Sequence, residues 1–149
     1  MLDPALERQI RSRLDASAFV DWMGLRLHAL EDGRSELHLE IAEHHLNPGR
    51  IVHGGIIATL LDAAIGLALR TKLGMDRTHV TVNLSVNYLK PFRAGTLIAR
   101  GRAIHSGGRT GYGEADLLDI EEAVLARGNA TFLVIDLPAE GVGPAGDAG

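Results

Sequence analysis

Between Ile56 and Leu69 the chain reads IIATLLDAAIGLAL, almost wholly Ala, Leu and Ile with one charge, Asp62. The run is too long for a single strand and contains no proline, so it reads as a helix. At about 100° per residue, Ile57, Leu60, Ala64 and Leu67 fall opposite Asp62, with Leu61 and Ala68 on one flank and Ile56 and Ala63 on the other. A helix apolar all round is a buried helix. It is too short, and too interrupted by Asp62 and Gly66, for a membrane span. The face of Asp62 also carries Gly55, Ala58, Thr59, Ile65, Gly66 and Leu69, and the small residues leave room beside the carboxylate. Burying an ionised carboxylate without partners costs several kcal/mol or shifts its pKa. Two readings fit. Asp62 is hydrogen-bonded across a helix contact, or it serves chemistry.

What precedes the run favours chemistry. His53-Gly54-Gly55 brings a loop to a helix N-terminus, where free N–H groups and the positive end of the helix dipole stabilise developing negative charge. An oxyanion donor and a carboxylate on one helix suit acyl transfer. Gly54 and Asp62 are eight residues apart, about 12 Å along a helix. One carbonyl cannot bond the Gly54 N–H while Asp62 of the same chain serves its carbon. Two such helices packed antiparallel would place Gly54 of one beside Asp62 of the other, so acyl transfer here requires a homodimer with two composite sites.

The 149 residues suit one domain, residues 1–137, long enough for a proper core. Hydrophobic content of 46% and charged content of 23% are those of an ordinary globular protein. A net charge of −4 argues against a nucleic-acid partner, whose footprint would be a basic stripe. Without cysteine there is no disulfide, thiol nucleophile or cysteine metal site. No signal-peptide pattern is visible at the N-terminus, so a cytoplasmic protein with no membrane partner is expected, and the N-x-S/T matches at Asn83 and Asn129 carry no meaning.

Asp3-Pro4 starts a short amphipathic helix, about residues 4–18, on Leu6, Ile10 and Leu14. Phe19, Val20, Trp22 and Met23 either line an acyl pocket or pack that helix onto the body; packing is the favoured reading. Gly24–Leu30 and Arg34–Ala42 read as strands joined by a turn at Glu31-Asp32-Gly33. Ser35 to Ile41 alternates, one face apolar and one solvated. His44 and His45 have no HExxH context and read as loop histidines; no metal site is expected. Gly74 stops the long helix. Thr78–Tyr88 reads as a regular strand, with Val80, Val82, Leu84, Val86 and Tyr88 on one face and Thr81, Asn83, Ser85 and Asn87 on the other. Three more strands follow, Thr96–His105, Thr110–Ile120 and Ala123–Ile135, with turns at Gly107-Gly108 and Asp119–Glu122. Residues 138–149, rich in Gly, Pro and Ala, read as a disordered tail. One apolar helix among five or six strands implies an α+β fold in which a curled antiparallel sheet wraps the helix.

Asn47, five residues, His53-Gly54-Gly55, six residues and then Asp62 resemble the signature of the phenylacetate-type (PaaI-like) hotdog thioesterases of the 4-hydroxybenzoyl-CoA thioesterase superfamily. The resemblance extends from about Phe19 to Leu137. It implies the hotdog fold and hydrolysis of an acyl-CoA thioester to a carboxylic acid and CoA. Asp62 would be general base or nucleophile and the Gly54 N–H the oxyanion donor. Asn47 and His53 would hold the thioester and its water, and Thr81 would position that water. Tyr88, Lys90, Pro91, Arg93 and the turn Ser106, Gly107, Gly108, Arg109 and Thr110 match CoA-contacting segments. CoA belongs to the substrate, so no separate cofactor is implied. A homodimer, assembled further into a homotetramer, is implied as well.

Each of these residues also has a plainer reading. Gly54 and Gly55 serve the tight loop-to-helix turn, Asn47 the Asn-Pro-Gly turn, and Thr81 the strand. His53 is a buried hydrogen-bonded histidine or a substrate contact. A thiolate leaving group, with a pKa of roughly 8.5 by analogy with cysteine, departs without a strong acid, so one base and one oxyanion donor suffice. Two other functions compete: an enoyl-thioester hydratase or dehydratase on the same fold, and a non-catalytic acyl-CoA sensor that binds without turnover.

Overall fold

The computed structural model describes residues 1–137. The expected tail, residues 138–149, lies outside the described residues. The elements run α1 (Pro4–Asp15), α2 (Ala18–Met23), β1 (Leu25–Glu31), β2 (Arg34–Glu40), α3 (Gly54–Arg70), β3 (Arg77–Tyr88), β4 (Thr96–Ser106), β5 (Thr110–Leu118) and β6 (Val124–Asp136). The strands form one antiparallel sheet in the order β1-β2-β4-β5-β6-β3, and α3 packs on its inner face. This is the hotdog architecture. No helix of the described residues is long and apolar enough to cross a membrane.

The apolar run forms the expected helix and extends it by one residue at the C-terminal end and two at the other. Leu60, Leu61, Ala64, Ile65 and Leu69 are fully buried against Leu37, Leu39, Leu97, Leu117, Ala126 and Phe132 of the sheet. Each large side chain so buried contributes about 1.5–3 kcal/mol. The helix lies unusually close to β4 and β5. A Cβ on Gly101 would come within 3.0 Å of the Ala64 carbonyl and the Ile65 nitrogen, and one on Gly113 would meet Ile65 and the Arg102 carbonyl. Ser35 Oγ, buried, donates to the same Ala64 oxygen at 2.7 Å. Backbone, not only side-chain packing, therefore sets the height of the helix over the sheet.

Three sequence readings are corrected. The N-terminal helix ends at Asp15, and a second helix starts beyond it because the Ser17 hydroxyl accepts from the Val20 N–H and caps a new turn. The long helix is not buried all round: Gly55 is exposed, and Thr59, Asp62 and Ala63 stay half-open, because nothing in a single chain covers that stripe. β3 is not a regular alternation. Its register against β6 slips at Val82, with Thr81 opposite Phe132 and Asn83 opposite Thr131. This β-bulge switches the facing parity. Upstream of it His79 and Thr81 face α3; downstream Leu84, Val86 and Tyr88 do. Val80 and Val82 instead point outward and are exposed.

Helix α1 is docked by its own small cluster, Leu6, Ile10 and Leu30, with Leu14 and Leu67 against it. Buried Arg70, at the end of α3, donates to Gln9 Oε1 at 2.6 Å and ties α1 to the main helix.

Candidate active site

Asp62 stands in the middle of the half-open stripe of α3. The Thr81 hydroxyl donates to Asp62 Oδ1 at 2.9 Å, so the structure brings these two sequence-derived residues together. Burial pushes the Asp62 carboxyl above its usual value of 3.8, and the Thr81 hydrogen bond opposes this. No cation pairs with Asp62 among the described residues, so desolvation wins.

A cavity of about 350 Å³ opens beside the carboxylate, between α3 and the α1–α2 segment. Leu14, Phe19, Thr59, Gly66 and His79 line it together with Asp62. Of the four residues for which packing was the favoured reading, Phe19 and Val20 border this cavity. Met23 is fully buried in the core and Trp22 is exposed. His79 was missed in the sequence. Its signal was its position two residues before Thr81 on the same strand face. It packs edge-on to Phe132 at 4.8 Å, and its Nδ1 is buried without a partner among the described residues. Burial, and secondarily the charge of Arg70, pull its pKa down to about 4, so the ring is neutral near pH 7. Its other nitrogen abuts Gly66, where a Cβ would come within 2.7 Å of it.

The second half of the candidate site lies at the N-terminus of α3. His53 is the N-cap, and its Nδ1 accepts the Gly55 N–H at 2.9 Å. The ring is exposed, not buried. With Gly55 satisfied in this way, the Gly54 N–H is left without an acceptor among the described residues. The Tyr88 hydroxyl donates to the Gly54 carbonyl at 3.0 Å, and its ring lies against the glycine, so a Cβ there would press on the phenol. Asn47 closes its own turn: its N–H donates to the Ile51 carbonyl and its Oδ1 accepts the Ile51 N–H at 3.2 Å. The loop is held from below by His45, which is fully buried. His45 accepts the Ala42 N–H on Nδ1 and donates from Nε2 to the Met23 carbonyl, and its own carbonyl accepts the His53 N–H. Burial lowers the His45 pKa against the pull of the Met23 carbonyl, which suits a neutral structural ring.

The structure does not bring the two halves together within one chain. Gly54 and Asp62 remain eight residues apart on one straight helix, about 12 Å. The two segments expected to contact CoA are separated as well. Tyr88, Lys90, Pro91 and Arg93 sit by the N-terminus of α3, where Arg93 already donates to the carbonyls of Gly49 and Arg50. Ser106, Gly107, Gly108, Arg109 and Thr110 form the β4–β5 turn at the other end, where Gly111 meets Leu69 near the helix C-terminus. Lys90 and Arg109 are exposed and make no ion pair among the described residues.

A thioesterase superfamily profile matches residues 49–126, just over half of the chain. A Halobacterium salinarum protein that carries the name of an esterase is 35% identical over 136 residues, covering 84% of this chain and 89% of its own. The chain belongs to the thioesterase superfamily. Another relative, the 1,4-dihydroxy-2-naphthoyl-CoA hydrolase of Listeria monocytogenes, is 26% identical over 112 residues, covering 75% of this chain and 91% of its own. The fold is that of the Escherichia coli PaaI protein from the phenylacetic acid degradation operon, with a TM-score of 0.82 at 20% identity over 91% of this chain and 96% of that one. The expectation of a hotdog-fold thioesterase is thereby met, and the likeness to PaaI is one of fold.

Proposed function

We propose that this thioesterase hydrolyses an acyl-CoA at a site shared between two chains, with Asp62 of one and the Gly54 N–H of the other. The observation that carries this reading is the separation of a desolvated carboxylate from an open helix-N-terminal donor on one rigid helix. Asp62, with Thr81 beside it, takes a proton from water, or attacks directly, at the thioester carbon. The Gly54 N–H stabilises the oxyanion. The acyl group enters the cavity beside Asp62, and the CoA arm leaves along the surface near Tyr88, Lys90 and Arg109, with the phosphates on backbone N–H groups and cations. An antiparallel pair of chains would join the two contact segments, which lie at opposite ends of α3 in one chain. The edge strand β3, twelve residues without an outer neighbour among the described residues and with Val80 and Val82 exposed, offers the seam. Free-thiol release from short, medium, long and aryl acyl-CoAs tests the reading. Turnover of at least one class is expected, and tight binding without turnover of any class would replace the enzyme with a sensor.

Two further results are expected. Light scattering should find a dimer or a larger even assembly for the wild type, with association weakened by Val82→Glu. Val82 is 65% exposed in the single chain, so that change should leave the fold intact. An active, strictly monomeric protein would remove the shared site. Where chemistry limits the rate, kcat/KM should fall as pH drops through the pKa of Asp62 in the free enzyme. Because burial raises that pKa above 3.8, the acid limb should lie above the range of a free carboxylate. A flat acid limb would remove the base role.

A further inference from the structure

Strand pairing assembles a second cluster of chemistry-bearing side chains, none of which lines the cavity beside Asp62, on the outer face of the β1–β2 hairpin. His28, Glu36 and His38 each offer one donor atom, and the three atoms lie within 4.8 Å of one another. Three features shape the cluster. The register of β1 against β2 slips between Leu27 and Ala29, and the extra residue is His28. Such a bulge re-aims a side chain; here it sets the His28 ring parallel to that of His38, with centroids 4.2 Å apart and an angle of 7°. Both Nε2 atoms face the same carboxylate oxygen, Glu36 Oε1, at 2.7 Å for His38 and 3.9 Å for His28. The other oxygen, Oε2, is held by Arg100 Nε at 2.7 Å. Arg100 is itself clamped by Glu122, with Nη2 to Oε1 at 2.8 Å. The carboxylate is therefore oriented from behind, with its free oxygen turned to the two imidazoles.

We propose that His28, Glu36 and His38 form a binding site for one borderline divalent cation of the zinc class. Two imidazole nitrogens and one carboxylate oxygen suit Zn²⁺, Co²⁺ or Ni²⁺ and not the oxygen-seeking Mg²⁺ or Ca²⁺. The cation takes the place of the proton between His38 Nε2 and Glu36 Oε1, and the ring passes to its Nδ1–H tautomer. A tetrahedral ion with ligands at about 2.0–2.2 Å holds its donors roughly 3.3 Å apart. The His38–Glu36 distance must open slightly, the His28–Glu36 distance close slightly, and the stacked rings must turn out of parallel so that their in-plane lone pairs converge on one ion. Both rings have freedom to do so, since His28 and His38 are 60% and 26% exposed. Local charge is favourable: Arg100 lies between two carboxylates, Glu36 and Glu122, so the three together carry a net negative charge. Arg26, opposite His38 in the register, is exposed and free to turn to solvent. The Arg100–Glu36 contact plays the orienting part that outer-shell partners play at metal sites. Three protein donors leave a position for water, and the ion staples the edge strand β1 to β2 across its bulge.

The test is zinc titration of the tag-free, chelator-treated full chain by calorimetry, with cobalt absorption as a second readout and thermal melting as a third. The wild type should bind one Zn²⁺ per chain and melt higher in its presence, because an ion that binds only the folded state stabilises it. His28→Asn and His38→Gln should each weaken binding by about tenfold or more, the lower end of what losing even an outer-shell partner costs. Neither should change folding without metal. His44→Asn should bind as the wild type does. The proposal is overturned if the wild type binds no zinc up to about 0.1 mM, well above the affinity of an ordered three-donor site. It is equally overturned if His28→Asn and His38→Gln bind as tightly as the wild type, since the zinc then sits elsewhere. None of these readouts depends on thioester hydrolysis, and Asp62→Asn should retain the zinc site.

Discussion

Replacing Asp62 by Asn should lower kcat for acyl-CoA hydrolysis by about 10²–10⁴-fold, the range ascribed to a positioned general base. KM should change little. Asn has the same shape, and its Oδ1 can accept the Thr81 hydroxyl as the carboxylate oxygen does at 2.9 Å. What the variant lacks is the ability to take a proton or attack carbon. The same substitution should raise stability. The folded-state pKa of Asp62 is raised, chiefly by burial, so the folded protein holds that proton more tightly than the unfolded chain does. The group's stabilising contribution is then fully present below the unfolded pKa and is lost as pH rises through the folded one. At neutral pH the ionised Asp62 is a cost that Asn removes. A melting midpoint about 1–3 °C higher, with activity lost, would show a residue kept for chemistry at the expense of the fold. Turnover within about threefold of the wild type would mean that Asp62 is not the base.

Among single-methyl additions, Gly101→Ala should have the largest effect on stability. The added carbon would enter the Ala64 carbonyl, an atom of the helix backbone that is also fixed by the Ser35 hydroxyl. A flexible side chain could step aside; a helix can relieve the clash only by lifting from β4 along part of its length. Overpacking typically costs about 1–3 kcal/mol, and a backbone clash belongs at or above the top of that range. A loss of about 3 kcal/mol would lower the melting midpoint by roughly 6–12 °C in a chain of this size. Gly108→Ala is the matched control, since nothing lies within 4 Å of a Cβ there. Equal midpoints for the two variants would refute the close helix–sheet approach.

Much of this was legible in the sequence because it depended on local pattern. The helix followed from Ile56 to Leu69, and its N-terminus from His53-Gly54-Gly55. Asp62 stood out as a charge in an apolar run, and Thr81 was found through the resemblance. What escaped depended on pairing between distant segments. Val82 read as sharing a face with Leu84 and Val86 because alternation predicts facing only while the register holds, and the slip is visible only against Phe132 and Thr131. His79 carried no motif, and its place beside Gly66 and Phe132 is a product of the fold. The break before Ser17 was readable in principle, since serine caps helices, but the periodicity of Leu6, Ile10 and Leu14 ran across it. His28 and His38 are ten residues apart, and only the hairpin and its bulge make them neighbours. The separation of Tyr88–Arg93 from the Ser106–Thr110 turn likewise depends on which end of the sheet each occupies.

The irregularity in β3 has a consequence for how this strand can change over time. A regular strand of fixed facing tolerates gain or loss of residues only in pairs, because a single insertion turns everything beyond it inside out. Val82 is a single surplus residue that the strand absorbs as a kink, leaving Thr81 on Asp62 at one side and Tyr88 on Gly54 at the other. It works as an expansion joint. An odd change in length is taken up at one exposed valine, and the contacts that serve the two ends of α3 are insulated from it.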